Sequence, residues 1–283
     1  YVFLMIIWLA SYPKSGNTWI RIFLDTLLFS QNDNKVDINY NAIGQFPLKS
    51  HFKHLTDNVD NLNEFAKNCI SAQESINLDN KIKIFKTHNA YWKHKESNYS
   101  FTNEENTLGV IYIVRDPRNV LTSVLNYFNK EDYNKALEFI KDEKKILGGS
   151  ETEFGIPTII SSWSNHYNSW KKFKKNYLLI KYENLINNPK QEFFKITNFL
   201  TKLGKFNFDE NKVLKIIKDC EFDKLSGQEA SSGFIGNTAR NRKLNKKFFN
   251  LGPNNDWKKL LSHEINEKVK VLFKDEMEEI GYI

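Results

Sequence analysis

Three short stretches of the chain hold residues whose types and spacing suit work on an anion. The first is Tyr12-Pro-Lys-Ser-Gly-Asn-Thr-Trp19, a turn between an apolar run and a helical pattern. Gly16 permits close backbone approach, Ser15 and Thr18 add hydroxyl donors, and Lys14 adds a compact positive charge. Successive backbone N–H groups at a helix start attract phosphate. The second is Arg115-Asp-Pro-Arg-Asn-Val-Leu-Thr-Ser123. Asp116 suits an N-cap and Pro117 a first helical residue. Ser123 then stands about 9 Å up the helix from Pro117, at about 1.5 Å per residue, within reach of a ligand that Arg115 also touches. A guanidinium plus a hydroxyl makes a good receptor for a terminal phosphate. The third is Lys86-Thr-His88, which closes a strand-like run. An imidazole there can take a proton near neutrality, beside a lysine that stabilises negative charge.

Each stretch taken alone has an ordinary structural use. Pro-Lys-Ser-Gly also makes polar turns, Arg115 can pair with an acid, and a strand-end histidine is often a hydrogen-bonder. His51, His54, His94, His166 and His263 compete with His88 for a catalytic role. The turn lacks the G-x-x-x-x-G-K-[ST] order, since its lysine precedes its glycine. The succession of both anion segments along the chain favours binding.

The elements that must position these residues read as alternating strands and helices. Val2–Ala10 is a continuous apolar run, as expected of a buried parallel strand. The turn Ser11–Asn17 follows, and then Trp19, Ile22, Phe23 and Leu27 at helical spacing. Ile82–Thr87, Gly109–Val114 and Tyr177–Lys181 read as further strands. Helices are expected after Asp116, over Ile159–Phe173, over Pro189–Leu200 and over His263–Ile280. Residues 32–80 are rich in Asn and Asp, with short helices and mobile loops expected. No repeat or Gly/Ser linker interrupts the pattern, so residues 1–283 are expected to form one α/β domain around a central parallel sheet flanked by helices.

Composition narrows the classes. The chain has 283 residues, 40% of them hydrophobic and 27% charged, which argues against wholesale disorder. Lysine and arginine total 41 against 34 acids, a net +7 that suits an anionic partner, although single lysine runs are equally solvated helix faces. The two cysteines, Cys69 and Cys220, have no paired spacing, so neither a disulfide framework nor a cysteine zinc site is expected. The opening apolar run of about nine residues is too short to span a bilayer, and no basic segment precedes it. A cytoplasmic protein without an integral membrane segment is expected, with Met5 as a natural start.

The turn resembles the 5′-phosphosulfate loop P-K-[SA]-G-[TS]-[TS]-W of the sulfotransferases that use 3′-phosphoadenosine 5′-phosphosulfate (PAPS), departing from it by Asn17. The Arg115–Ser123 segment, Lys86-Thr-His88, Ser162-Trp-Ser-Asn-His-Tyr-Asn-Ser-Trp170, Lys181-Tyr-Glu-Asn-Leu185 and Cys220-Glu-Phe222 are similar to further elements of that family. The resemblance implies a P-loop-like α/β fold and transfer of a sulfuryl group to a hydroxyl or amine by in-line attack. It gives His88 the role of base and Lys14 contact with the bridging oxygen. Lys86 stabilises charge on the transferring group or the leaving phosphate. Lys14, Ser15, Gly16, Asn17, Thr18 and Trp19 hold the donor, Trp19 stacking on adenine. Arg115 and Ser123 take the 3′-phosphate, and Tyr182, Phe222 and Gly252 complete the donor site.

The segment Phe248-Phe-Asn-Leu-Gly-Pro-Asn-Asn-Asp-Trp-Lys258 departs from the family's F-x-R-K-G-x-x-G-D-W-K. Asn250 and Leu251 stand for the Arg-Lys pair that grips the 3′-phosphate, and Asn255 for the later glycine. Arg240, Arg242 or Lys243 is the nearest replacement charge. A possible homodimer rests on Lys258, Ser262, His263 and Glu267, remnants of the family's dimer element.

The acceptor is expected to be a small molecule, lipid or glycan, not nucleic acid, and no metal is demanded. Phe46, Tyr91, Trp92 and Tyr167 either wall an apolar acceptor pocket or belong to the core. The Lys49–His54 patch faces either an acidic glycan or solvent. Two rivals compete: a P-loop kinase using ATP and magnesium, and a non-catalytic basic protein that binds polyanions.

Overall fold

In a computed structural model, residues 5–30, 35–79, 81–94, 97–148, 156–204 and 206–283 are described. In chain order the elements are β1 (Ile6–Ser11), α1 (Asn17–Phe29), α2 (Leu62–Asn77), β2 (Lys83–Thr87), β3 (Thr107–Val114) and α3 (Pro117–Tyr127). There follow α4 (Tyr133–Lys141), β4 (Ile146–Leu147), β5 (Thr158–Ile159), α5 (Trp163–Lys171), β6 (Tyr177–Lys181), α6 (Tyr182–Asn187) and α7 (Pro189–Gly204). The last are α8 (Glu210–Asp219), α9 (Phe222–Ser232), α10 (Ala239–Lys243), α11 (Trp257–Leu260), α12 (His263–Leu272) and α13 (Lys274–Ile280).

The chain divides into two compact units that alternate along the sequence. One comprises residues up to Ser15, Ile43–Val114 and Phe139–Ile180; the other Gly16–Ala42, Arg115–Glu138 and Lys181–Ile283. The first carries the sheet, in the order β2-β1-β3-β6. β1 is buried along its whole length and runs parallel to both β2 and β3, which explains its unbroken apolar sequence. The register pairs Ala10 with both Thr87 and Tyr112, and Ser11 with Ile113. The C-terminal ends of the three strands therefore lie at one edge, where open α/β sheets bind ligands.

Trp8 anchors the core. Its ring lies 5.6 Å from Phe46 and 5.1 Å from Phe101, and its indole N–H donates to Thr107 at 3.0 Å. Truncating such a buried ring costs about 3–5 kcal/mol. Helix α5 meets the sheet through His166, whose Nδ1 accepts the Tyr112 hydroxyl of β3 at 2.8 Å.

Several boundaries differ from the sequence reading. Residues 2–4 lie outside the described residues, and β1 extends one residue further, to Ser11. The expected helix at Ile159 begins instead at Trp163. Ile159 pairs with Ile146, Ser161 is left-handed at φ 58°, and Ser162 caps the Asn165 N–H at 3.2 Å. The C-terminal helix breaks at Phe273 (φ −123°), which buries that ring while Val271 and Leu272 stay exposed. In the Asn-rich region one short helical turn, Lys49–His51, and irregular stretches occur as expected, and a 16-residue helix, α2, is added to them.

Candidate active site

In the first unit the candidate residues lie at the edge of the sheet. Lys14 sits in the left-handed region at φ 68°, a conformation an L-residue adopts at a cost of roughly 1–2 kcal/mol. It is followed by Ser15, fully buried, whose hydroxyl has no hydrogen-bond partner among the described residues. A buried donor left in that state fits a site that an anion completes.

His88 leaves β2 beside this turn. Its Nδ1 lies 2.8 Å from the Ser11 carbonyl oxygen and 3.3 Å from the Ser11 hydroxyl. A carbonyl only accepts, so Nδ1 carries the proton and Nε2 of the neutral ring keeps its lone pair. Behind it, His166 Nε2 donates to the His88 carbonyl at 3.1 Å, and Tyr112 fixes the other His166 nitrogen. Burial, then the charge of Lys86, and further that of His166 and Lys14, push the His88 pKa well below the usual imidazole value; the bond to Ser11 opposes them. His166 is pushed down to about 3 by burial. Lys86 is held by its main chain, which exchanges bonds with Gly44 (2.9 Å) and Phe46 (3.0 Å).

In the second unit the candidate residues lie at helix starts and on helices. Gly16 precedes α1 at φ 101°, and no side chain caps this helix, nor does an acid sit in its first turn. Its N-terminal dipole is thus not neutralised from within. A Cβ at Gly16 would lie 2.4 Å from the Tyr182 ring, so only glycine fits. The Tyr182 ring lies 6.2 Å from Trp19, edge to face, and the Arg115 guanidinium lies 4.2 Å from its centre. Arg115 also donates to Ser123 Oγ at 3.2 Å. One aromatic ring thereby joins Gly16, Trp19 and the Arg115–Ser123 pair.

Further contacts surround this grouping. Asp116 accepts the Arg118 N–H at 2.9 Å and forms a buried ion pair with its guanidinium at 2.6 Å. Glu183 accepts the Asp116 N–H at 2.9 Å and the Tyr282 hydroxyl at 2.8 Å; burial pushes its carboxyl up despite these bonds and the charge of Arg115. Phe222 and Gly252 form their own pair: Gly252 is at φ 51°, and a Cβ there would lie 2.3 Å from the Phe222 ring.

Every predicted site residue falls into one of these groupings, with Asn17 and Thr18 in the first turn of α1. The replacement charges proposed upstream are less well directed. Arg240 and Lys243 are exposed, and Arg242 donates to the Asn237 and Ile235 carbonyls. Lys246 instead reaches the end of α3, bonding Asn129 at 2.5 Å and the Asn126 carbonyl at 3.3 Å. Phe46 and Tyr167 are core residues. Within the Lys49–His54 patch, Lys49 pairs with Asp60 at 2.8 Å and His51 stacks on Phe46 at 5.2 Å. Ser11, His166 and Asn255 were not foreseen as site residues. The substitution of Asn255 for a glycine was the one legible hint.

Each unit thus holds candidate residues of the kinds expected: His88, Lys86, Lys14 and Ser15 in the first, and Gly16, Trp19, Tyr182, Arg115 and Ser123 in the second. The sulfotransferase domain family matches residues 6–281, so the chain belongs to the sulfotransferase family. It is an enzyme of that class, as the turn and the strand-end residues led us to expect. An amine sulfotransferase of Oryctolagus cuniculus is 22% identical over 282 residues, covering 96% of this chain and 81% of that protein. Sulfotransferase 1B1 of Canis lupus familiaris is 25% identical over 279 residues, covering 95% and 82% respectively. Among solved structures, mouse sulfotransferase SULT7A1 complexed with PAP has a TM-score of 0.59 at 20% identity, covering 98% of this chain and 84% of that one. Retinol dehydratase in complex with androsterone and inactive cofactor PAP has a TM-score of 0.59 at 16% identity, covering 96% and 80%. These two share the fold. Among the described residues no helix is long and apolar enough to cross a membrane.

Proposed function

We propose that the chain transfers a sulfuryl group from PAPS to the hydroxyl or amine of a small molecule, lipid or glycan in the cytoplasm, working as one domain of 283 residues. The observation that carries this reading is the Tyr182 ring, packed against Gly16 and under Arg115. One nucleoside carrying phosphate at both ends of its ribose needs both anion receptors near a common aromatic surface. The PAP bound in the related structures supports the same donor.

In this reading Arg115 and Ser123 take the 3′-phosphate. Trp19, Tyr182 and Phe222 face the adenine, and Gly252 allows the chain to pass closely. Lys14, Ser15, Gly16, Asn17 and Thr18 bind the 5′-phosphosulfate through backbone N–H groups, hydroxyls and the lysine charge. His88 Nε2 accepts the acceptor's proton as its oxygen or nitrogen attacks sulfur in line. The sulfur–oxygen bond to the 5′-phosphate breaks, and Lys14 and Lys86 stabilise the charge that collects on the leaving oxygen. The lowered His88 pKa keeps the ring neutral, and so ready as a base, at neutral pH. A homodimer through the Lys258–Glu267 segment remains part of the proposal, to be tested by light scattering.

The experiment is transfer of radiolabel from ³⁵S-PAPS across a panel of alcohols, phenols, amines and glycans, with His88→Ala beside the parent. The variant is expected to lose about 10²–10⁴-fold in turnover, the usual contribution of a general base, while binding the bisphosphate product nearly normally. Equal turnover in the variant rules His88 out.

A further inference from the structure

We infer that Asn255 is a positioning residue for the 3′-phosphate receptor and helps the chain tell a 3′-phosphorylated nucleotide from one without that group. The inference rests on the reading above and concerns a residue that stands where the family pattern has glycine. Asn255 is buried, and its Nδ2 lies 3.0 Å from the Asn119 carbonyl and 3.0 Å from Ser123 Oγ. The amide orientation is fixed by the Asn119 carbonyl, because an amide oxygen there would set oxygen against oxygen. Its Oδ1 faces Thr122 Oγ1 at 2.6 Å, a hydroxyl that also lies 2.8 Å from the Asn119 carbonyl.

Ser123 Oγ therefore receives two donors, Nδ2 of Asn255 and a guanidinium nitrogen of Arg115 at 3.2 Å. A hydroxyl has two lone pairs and one proton. With both lone pairs engaged, the proton must be given to a third group. Among the described residues no acceptor for it lies within hydrogen-bond distance. Ser123 is half-buried, so that proton points to whatever occupies the receptor. A phosphate oxygen, which only accepts when ionised, is the natural recipient. Asn255 thus turns a side chain that could equally accept into an obligate donor. It does so beside the segment where Asn250 and Leu251 supply no positive charge.

The test is calorimetric binding of adenosine 3′,5′-bisphosphate and of AMP to the parent chain and to Asn255→Ala. Asn255→Ala is expected to weaken the bisphosphate about tenfold and to leave AMP within about twofold, so that the ratio of the two affinities falls. Thr122→Val, which frees the amide without removing it, should lower the ratio in the same direction by less. It decides the matter if Asn255→Ala does not fold. In a Ser123→Ala background the loss of Asn255 should change the ratio no further, since its effect passes through that hydroxyl. An unchanged ratio in the folded variants, or an undiminished effect without Ser123, overturns the inference alone. A parent chain that binds the bisphosphate no better than AMP overturns the underlying reading instead.

Discussion

The two candidate anion receptors are built in opposite ways. The turn before α1 is made of backbone: Lys14 and Gly16 both have positive φ, and among the described residues the helix start has no side-chain cap and the buried Ser15 hydroxyl has no partner. The junction after β3 is made of side chains already wired together. Asp116 caps α3 and pairs with Arg118, while Ser123 is held by Arg115 and Asn255. In the proposed reading a ligand completes the first receptor, and the second is already wired to accept one. The open receptor should fail through conformation, and the wired one through loss of a specific contact.

Gly16→Ala is the harshest test of that difference. The new Cβ both meets the Tyr182 ring at 2.4 Å and demands φ 101° of an L-residue. Backbone strain of this kind costs about 1–3 kcal/mol. Displacement of the ring adds to it, and donor affinity is expected to fall about a hundredfold or more by calorimetry. Unchanged affinity would mean that the turn does not approach the donor closely. Arg115→Ala should do less, about tenfold to a hundredfold, the worth of a charge-assisted hydrogen bond. Its loss should fall on the nucleotide far more than on the acceptor; similar losses for both contradict the 3′-phosphate role.

A last effect, on stability and not on binding, concerns the histidines behind the turn. Both His88 and His166 have folded pKa values below the unfolded imidazole value, His166 at about 3. Their contribution to stability is therefore complete above about pH 6.5 and is lost as the pH falls, because the unfolded chain then binds more protons. His166→Gln should flatten the fall in urea midpoint between pH 6.5 and pH 4, removing up to about 1.4 kcal/mol per pH unit. Identical acid profiles for parent and variant would show that His166 does not titrate in this way.

The same contrast explains what the sequence could disclose. The open receptor was legible because its chemistry is local: a buried strand, a glycine and a lysine in a fixed order. β1 and β3 were legible for the related reason that strands buried on both faces are apolar almost without interruption. α2 was not, because its buried face includes Gln73 and Asn77, which bond to Phe101 and Asn106 and so break the apolar period. The wiring of the second receptor was equally hidden. Asn255 lies 132 residues from Ser123, and nothing in either local pattern announces the pairing. His88 could be singled out among six histidines by its strand end, but not its tautomer, which depends on the Ser11 carbonyl 77 residues away.

The central claim is that one doubly phosphorylated nucleoside engages both receptors. Calorimetric titration of the parent chain with adenosine 3′,5′-bisphosphate, AMP and ATP with magnesium measures this directly. A single site that prefers the bisphosphate by about tenfold or more over each competitor is the predicted result. Equal or tighter binding of ATP with magnesium, or no gain from the 3′-phosphate, would contradict the account.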